Sequence, residues 1–147
     1  MKVLLDEQVP VQFLEPMRHI LRGHAVEHVT LLGWAGKPDV RLLPDARKDG
    51  FDAIVTNDRK QLADPDECRA IKRSGLHHIT FTVGNGLDGL ALALASLVAA
   101  VRYVIADLED AEGQRLVTIT ALSRRPRHTT IDPAVAPPSY WPGGRRA

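Results

Sequence analysis

The sequence contains little cysteine and no segment typical of a leader or a membrane span. Cys68 is the one cysteine among 147 residues, so no disulfide can form within the chain, which fits a reducing compartment. Lys2 is followed by only three apolar residues before Asp6, too few for a secretion signal. The longest apolar run, Leu90 to Val101, has about two-thirds of the minimum length that spans a bilayer. We therefore expect a cytoplasmic protein without a membrane segment, in which this run forms a buried helix.

Motifs of several common binding sites are also missing. Gly84-Asn85-Gly86 has neither the lysine of a phosphate-binding loop nor the glycine spacing of a dinucleotide site, which favours a simple turn. The histidines lack the spacing of a transition-metal site, because His24 and His28 are four apart in a predicted strand and His77 and His78 are adjacent. Because these motifs are absent, the acidic residues are the main candidates for a functional site.

The net charge of +1 is unevenly distributed along the chain. Residues 124–147 carry five arginines and one acid, giving +4, so the rest of the chain carries 14 bases and 17 acids, giving −3. Such a tail permits contact with nucleic acid, but a solvated terminus explains it equally well. Four prolines and two adjacent glycines fall in residues 133–147. We therefore predict one domain over residues 1–132 and a flexible tail over 133–147.

Apolar strand patterns alternate with helical patterns along the chain. Predicted strands cover residues 2–5, 25–30, 51–56, 77–83 and 114–122. Predicted helices lie between them, at about 10–21, 38–48, 65–74 and 88–110. We expect Pro16 to kink its helix or delay its start, and Pro44 is placed where it can split its helix in two. The alternation indicates an α/β fold with parallel crossovers and a doubly wound central sheet.

Acidic residues follow two of the predicted strands. Asp6 and Glu7 end the first strand, Asp58 ends the third, and Asp39 begins the helix between them. Right-handed crossovers place all of these residues at the carboxyl edge of the sheet, where parallel α/β sheets bind ligands. Clustered carboxylates suit Mg²⁺ or Mn²⁺. A loop position or a helix cap accounts for any one of these acids as well, so both interpretations stay open.

Polar and basic residues accompany the acid at the end of the third strand. Asn57 can bind a substrate or hold the acids, and Arg59 or Lys60 can contact a phosphate. A solvated helix start is the alternative for Arg59 and Lys60. We predict Asn57, Arg59 and Lys60 as substrate-binding residues.

Four segments, in order, match the motifs of one known family. The opening MKVLLDEQVP resembles the family's "ILLDEN-x-P", and Arg22–Val26 is similar to its "GHDV" element. The helix that begins Pro38-Asp39 resembles the "SDEEI…A" helix, and Ile54–Arg59 resembles the "LVTNDRDF" strand end. The chain therefore resembles the small PIN-like domains related to toxin ribonucleases, and the likeness covers residues 1–83 well and the remainder loosely.

The resemblance implies a three-layer PIN-like fold with a mainly parallel central sheet flanked by helices. It also implies metal-dependent RNA cleavage, often by a toxin that has a small antitoxin partner. Asp6, Asp39 and Asp58 correspond to the catalytic and metal-binding acids, with Glu7 adjacent as a further ligand and Mg²⁺ or Mn²⁺ as the cofactor. We therefore expect a metal-dependent ribonuclease with RNA as its substrate and an antitoxin as its partner, and a homodimer is compatible with the sequence.

Two other functions stay open. Lys60 stands where the family has a second aspartate, which favours a PIN-like domain that binds a partner without cutting RNA. A receiver-like phosphoacceptor domain also has acids after its first and third strands, and Thr82 supplies the hydroxyl residue expected near the end of the fourth. However, the predicted fifth strand ends without the lysine of a receiver, and the helix before it is too long.

Overall fold

A parallel sheet of five strands forms the centre of the described part of the chain, residues 1–57, 59–123 and 128–143 of the computed structural model. The strands are β1 (Lys2–Leu5), β2 (Ala25–His28), β3 (Ala53–Thr56), β4 (His77–Thr80) and β5 (Leu116–Thr118). They lie in the order β2-β1-β3-β4-β5, and each neighbouring pair is parallel. The strand order reverses at β1, which is where open parallel sheets bind ligands.

Helices connect the strands and cover both faces of the sheet. They are α1 (Leu14–Ile20), α2 (Asp39–Lys48), α3 (Pro65–Ser74) and α4 (Gly86–Glu109), with short 3-10 turns at Val11–Phe13 and Arg59–Ala63. Successive residues of a strand point to opposite faces. Val3 and Val55 therefore join one core with α1 and α4, whereas Leu4 and Ile54 join a second core with α2 and α3. The predicted three-layer α/β fold is confirmed.

The two helix prolines have different effects. Pro16 is the third residue of α1, where a missing N–H leaves no helical bond unmade, and the 3-10 turn before it accounts for the predicted delay in the helix start. Pro44 lies inside α2, yet this helix runs unbroken, so the split that the sequence allowed does not occur. Pro44 is on the exposed side of α2, where water can bind the carbonyl group that loses its helical partner.

The long helix α4 completes the core on the α1 side of the sheet. Its buried apolar residues recur every three or four positions and pack with the sheet: Ala93, Leu97, Val101, Ile105 and Leu108. Gly89 lets the helix start close to the preceding turn, because a Cβ at Gly89 would lie 2.2 Å from the carbonyl carbon of Gly84. Gly84-Asn85-Gly86 is thus the turn that the sequence predicts, and Gly86 has a positive φ of 68°.

The length argument against a membrane span does not hold for α4 as a whole. Among the described residues it is the one helix long and apolar enough to cross a membrane, since it extends over 24 residues rather than over the apolar run alone. A core helix passes the same test of length and composition. One face of α4 packs against the sheet, as expected of a core helix, but only 33% of its most apolar stretch is buried, so the helix is partly rather than fully buried.

Most described residues of the predicted tail are exposed, and Pro133 and Pro137 are half-buried. Val135 and Tyr140 are 81% and 91% exposed, whereas residues 124–127 and 144–147 lie outside the described part of the chain. The division into a domain of residues 1–132 and a flexible tail stays a prediction.

Candidate active site

A buried carboxylate stands at the end of β1. Asp6 follows Leu5 directly and is 5% exposed, and its backbone N–H donates to the carbonyl oxygen of Val55 in β3 at 2.9 Å. Its Oδ2 accepts a hydrogen bond from Thr56 Oγ1 at 2.8 Å, and its Oδ1 accepts one from the backbone N–H of Glu7 at 2.7 Å. The sheet and these two donors fix the orientation of the carboxylate.

Thr56 belongs to a row of polar side chains across the carboxyl edge of the sheet. Thr56 is aligned with Thr80 of β4, and Thr80 is aligned with Thr118 of β5. Thr80 Oγ1 lies 3.3 Å from the carbonyl oxygen of Val117 and 3.5 Å from Thr118 Oγ1. Aligned residues of parallel strands point to the same face, so an acid and three hydroxyl groups line this edge on its α2–α3 side. The row was not predicted, although threonines at successive strand ends could have indicated it.

A second carboxylate, at the start of α2, contacts a buried amide group. Asp39 is the first residue of α2, and its Oδ2 accepts a hydrogen bond from Gln61 Nε2 at 2.9 Å. Gln61 lies in the 3-10 turn that follows β3, and its Oε1 is 3.0 Å from Nε2 of His78. His78 is buried in β4, aligned with Ile54. The amide of Gln61 therefore connects the acid of α2 to a histidine in the sheet.

Neither Gln61 nor His78 was among the predicted site residues. The signal that could have found Gln61 is a polar residue at the position where the "LVTNDRDF" strand end has phenylalanine. His78 gives no comparable signal, because a histidine in a short strand is compatible with a surface position as well as a buried one.

Glu7 and Asn57 lie beside the edge and both contact neighbouring backbone. Glu7 is exposed, and its Oε2 accepts a hydrogen bond from the N–H of Gly36, in the loop before α2, at 3.2 Å. Asn57 Oδ1 accepts a hydrogen bond from the N–H of Val83 at 3.3 Å, which ties the end of β3 to the segment after β4. These contacts give both residues a structural role, and their predicted roles as a metal ligand and a substrate contact stay predictions.

The remaining predicted residues follow β3. Asp58 lies outside the described residues, and only the backbone of Arg59 and Lys60 is described, at the start of the turn Arg59–Ala63. Within the part of the chain that the structure describes, no group of three or more His, Cys, Asp and Glu side chains is placed to hold a metal ion. The donor chemistry nevertheless fits a hard divalent cation, because Asp6 and Asp39 both supply carboxylate oxygens.

Two shifted pKa values belong to groups away from this carboxylate edge. A hydrogen bond from Lys37 holds the pKa of Asp45 below its ordinary value, at the junction of the loop and α2. Burial lowers the pKa of His77, which begins β4 at the opposite edge of the sheet. His77 Nδ1 accepts a hydrogen bond from the N–H of Arg115 at 3.0 Å, which requires that nitrogen to be unprotonated.

A comparison with protein families bears on the first part of the chain. A family model described as a PIN-like domain matches residues 1–83 of the 147, a stretch that includes β1 to β4. The chain belongs to the PIN-like domain family. No curated protein and no solved structure matches it. The matched part of this PIN-like domain holds every predicted site residue, from Asp6 to Lys60, and the receiver-like alternative receives no support.

Membership in the PIN-like family sets a general expectation for the carboxylate edge. PIN domains are often nucleases and typically depend on divalent metal ions. Of the acids predicted for such a site, the structure describes Asp6, which follows β1, and Asp39, which begins α2.

Proposed function

We propose that this PIN-like domain is a metal-dependent ribonuclease. The observation that carries the proposal is the buried, doubly hydrogen-bonded carboxylate of Asp6 at the point where the strand order reverses. The two donors hold this carboxylate in one orientation, and carboxylate oxygens are ligands that suit Mg²⁺ and Mn²⁺. The family supports the same function, since PIN domains are often nucleases.

Asp6 and Asp39 would hold the cation, with Asp58 as the third acid. When bound, Mg²⁺ or Mn²⁺ lowers the pKa of a water molecule and stabilises negative charge on a phosphodiester. Thr56 and the backbone N–H of Glu7 keep the Asp6 oxygens in one orientation, and Gln61 does the same for Asp39. Ligands that are already held in the required orientation do not have to rearrange during the reaction.

The proposed substrate is single-stranded RNA. Arg59 and Lys60 follow the acidic edge directly and are suited to neutralise backbone phosphates, and the arginines of residues 124–147 add positive charge. We also propose that the protein has a small antitoxin as its partner, forms a homodimer and is located in the cytoplasm.

Cleavage of a labelled single-stranded RNA tests the proposal. Cleavage should require Mg²⁺ or Mn²⁺, stop with EDTA, and fall at least about a hundredfold in Asp6→Asn, because losing a metal ligand removes several kcal/mol of transition-state stabilisation. Asp107→Asn, an identical chemical change at an exposed position of α4, should retain wild-type activity. Equal rates in Asp6→Asn and Asp107→Asn would contradict the proposed site.

Lys60 decides between this function and a PIN-like domain that binds without cutting. If the missing second aspartate limits the rate, Lys60→Asp should raise cleavage above wild type. If Lys60 contacts a phosphate instead, Lys60→Asp should weaken RNA binding and reduce the salt dependence by roughly one unit of slope. A wild type without metal-dependent cleavage, together with an inactive Lys60→Asp, would leave the binding module as the function.

A further inference from the structure

We propose that Gln61 is a positioning residue that sets the Asp39 carboxylate, and that His78 holds Gln61 in place. This role rests on the proposed metal-dependent function and adds to it two residues outside the predicted site. Gln61 is 5% exposed, although Leu62 and Ala63 of the same turn are exposed. The turn after β3 therefore directs one polar side chain inward, between α2 and the sheet.

The contacts of Gln61 permit one orientation of its amide. Nε2 donates to Asp39 Oδ2 at 2.9 Å, and Oε1 lies 3.0 Å from His78 Nε2, which therefore carries the proton. The reversed amide would place Oε1 against a carboxylate oxygen of Asp39, and that contact is repulsive. His78 is itself 1% exposed and belongs to β4, which is paired with β3. The sheet therefore holds His78, His78 holds Gln61, and Gln61 holds the Asp39 carboxylate.

The residues at 60 and 61 depart together from the strand-end motif that the chain resembles. That motif ends in Asp-Phe, where this chain has Lys60-Gln61. A phenylalanine cannot donate to Asp39 and needs no polar partner in β4, whereas Gln61 and His78 would each be costly to bury alone. With one acid fewer than the motif, each remaining carboxylate supplies a larger share of the cation's ligands, and its orientation matters more.

Mn²⁺ binding, followed as the rise in melting temperature with Mn²⁺ concentration, tests this role without RNA. Gln61→Leu should weaken Mn²⁺ affinity about 10- to 100-fold, the usual effect of losing a residue that orients a metal ligand. The same variant should also lower stability, because it leaves the His78 N–H buried without its acceptor. The double variant Gln61→Leu/His78→Leu should regain much of the stability, because both polar partners are gone, while Mn²⁺ affinity stays low.

The double variant separates positioning from structural support. If Gln61 serves only to satisfy His78, Mn²⁺ affinity will return to the wild-type value together with stability, and the positioning role is overturned. An Asp39→Asn background gives a second comparison, which also serves if the single variant fails to fold. There the double leucine change should cost no further Mn²⁺ affinity, because the carboxylate through which Gln61 acts is gone. A further loss of affinity in that background would contradict the positioning role.

Asp6→Asn distinguishes a failure of this inference from a failure of the proposed function. If the wild type does not respond to Mn²⁺, or Asp6→Asn responds equally, the metal site itself is wrong and the role of Gln61 fails with it. If Asp6→Asn loses the response while both Gln61 variants bind Mn²⁺ like the wild type, only the positioning role is overturned.

Discussion

The hydrogen bond between Thr56 and Asp6 gives a stability prediction that requires no substrate. Thr56 is fully buried, and its Oγ1 donates to Asp6 Oδ2 at 2.8 Å. Thr56→Val keeps the shape of the side chain and removes the donor, which leaves a carboxylate oxygen without this partner. Since a hydrogen bond to a charged group contributes about 1.5–3 kcal/mol, we expect the free energy of unfolding to fall by about 2–3 kcal/mol.

Thr80→Val is the matched control for this change. Thr80 is buried at the aligned position of the next strand, and its Oγ1 faces the neutral carbonyl group of Val117 at 3.3 Å. A neutral hydrogen bond contributes about 0.5–1.5 kcal/mol, so Thr80→Val should cost about 1 kcal/mol. The expected difference of about 1–2 kcal/mol corresponds to roughly 2–8 °C in Tm for a chain of this size.

Urea unfolding followed by circular dichroism, in a buffer that contains EDTA, measures both variants. The slope of the free energy against urea should match that of the wild type, because neither change alters the surface exposed on unfolding. If Thr56→Val is no more destabilising than Thr80→Val, the Asp6 carboxylate does not depend on the Thr56 hydroxyl, and the argument for a fixed acid fails.

Three further outcomes are expected elsewhere in the chain. Gly89→Ala should lower the free energy of unfolding by about 1–3 kcal/mol, because its Cβ would overpack against the preceding turn. Gly113→Ala should not, because its Cβ would lie 3.8 Å from the nearest atom. Equal urea midpoints for the two variants would contradict this packing. Burial lowers the pKa of His77 below its ordinary 6.5, so the unfolded chain binds the proton first, and stability is lost as the pH falls from 6.5 towards the lowered pKa. His77→Asn should flatten that pH dependence, and an unchanged slope would refute the assignment. Deleting residues 133–147 should leave Tm within a few degrees, because the described tail buries little apolar surface, and a loss of soluble protein would show that the tail docks.

The elements of the fold could be predicted because burial leaves a periodic pattern in the sequence. The third helix was predicted at residues 65–74 and is found at Pro65–Ser74, where Asp64 accepts from two backbone N–H groups as a helix cap. The fifth strand was predicted at 114–122 and is found at Leu116–Thr118. Ile119 lies just beyond that strand, is buried, and still donates its backbone N–H to the carbonyl oxygen of Thr80 in β4 at 2.8 Å.

The places of Asp6 and Asp39 in the fold could be predicted, but the side chains that contact them could not. Asp6 and Asp39 follow a strand and begin a helix, and both positions can be recognised from neighbouring residues. Gln61 and His78 come from a turn and a strand 17 residues apart, and nothing local predicts that their side chains meet. Glutamine is usually exposed, so a buried one is recognised only when both ends of its amide have visible partners.

The folding unit of this protein extends beyond the part that matches its family. The family match ends at residue 83, but α4 fills the core on the α1 side of the sheet. A protein cut at that point would keep every predicted catalytic residue but would expose the part of that face that α4 covers, leaving only α1 packed against it. A core accepts many exchanges among apolar residues of similar total volume, whereas an edge that must present particular oxygen atoms accepts few. Exchanges among the buried apolar residues of α4 that keep their total volume should therefore leave the carboxylate edge in place.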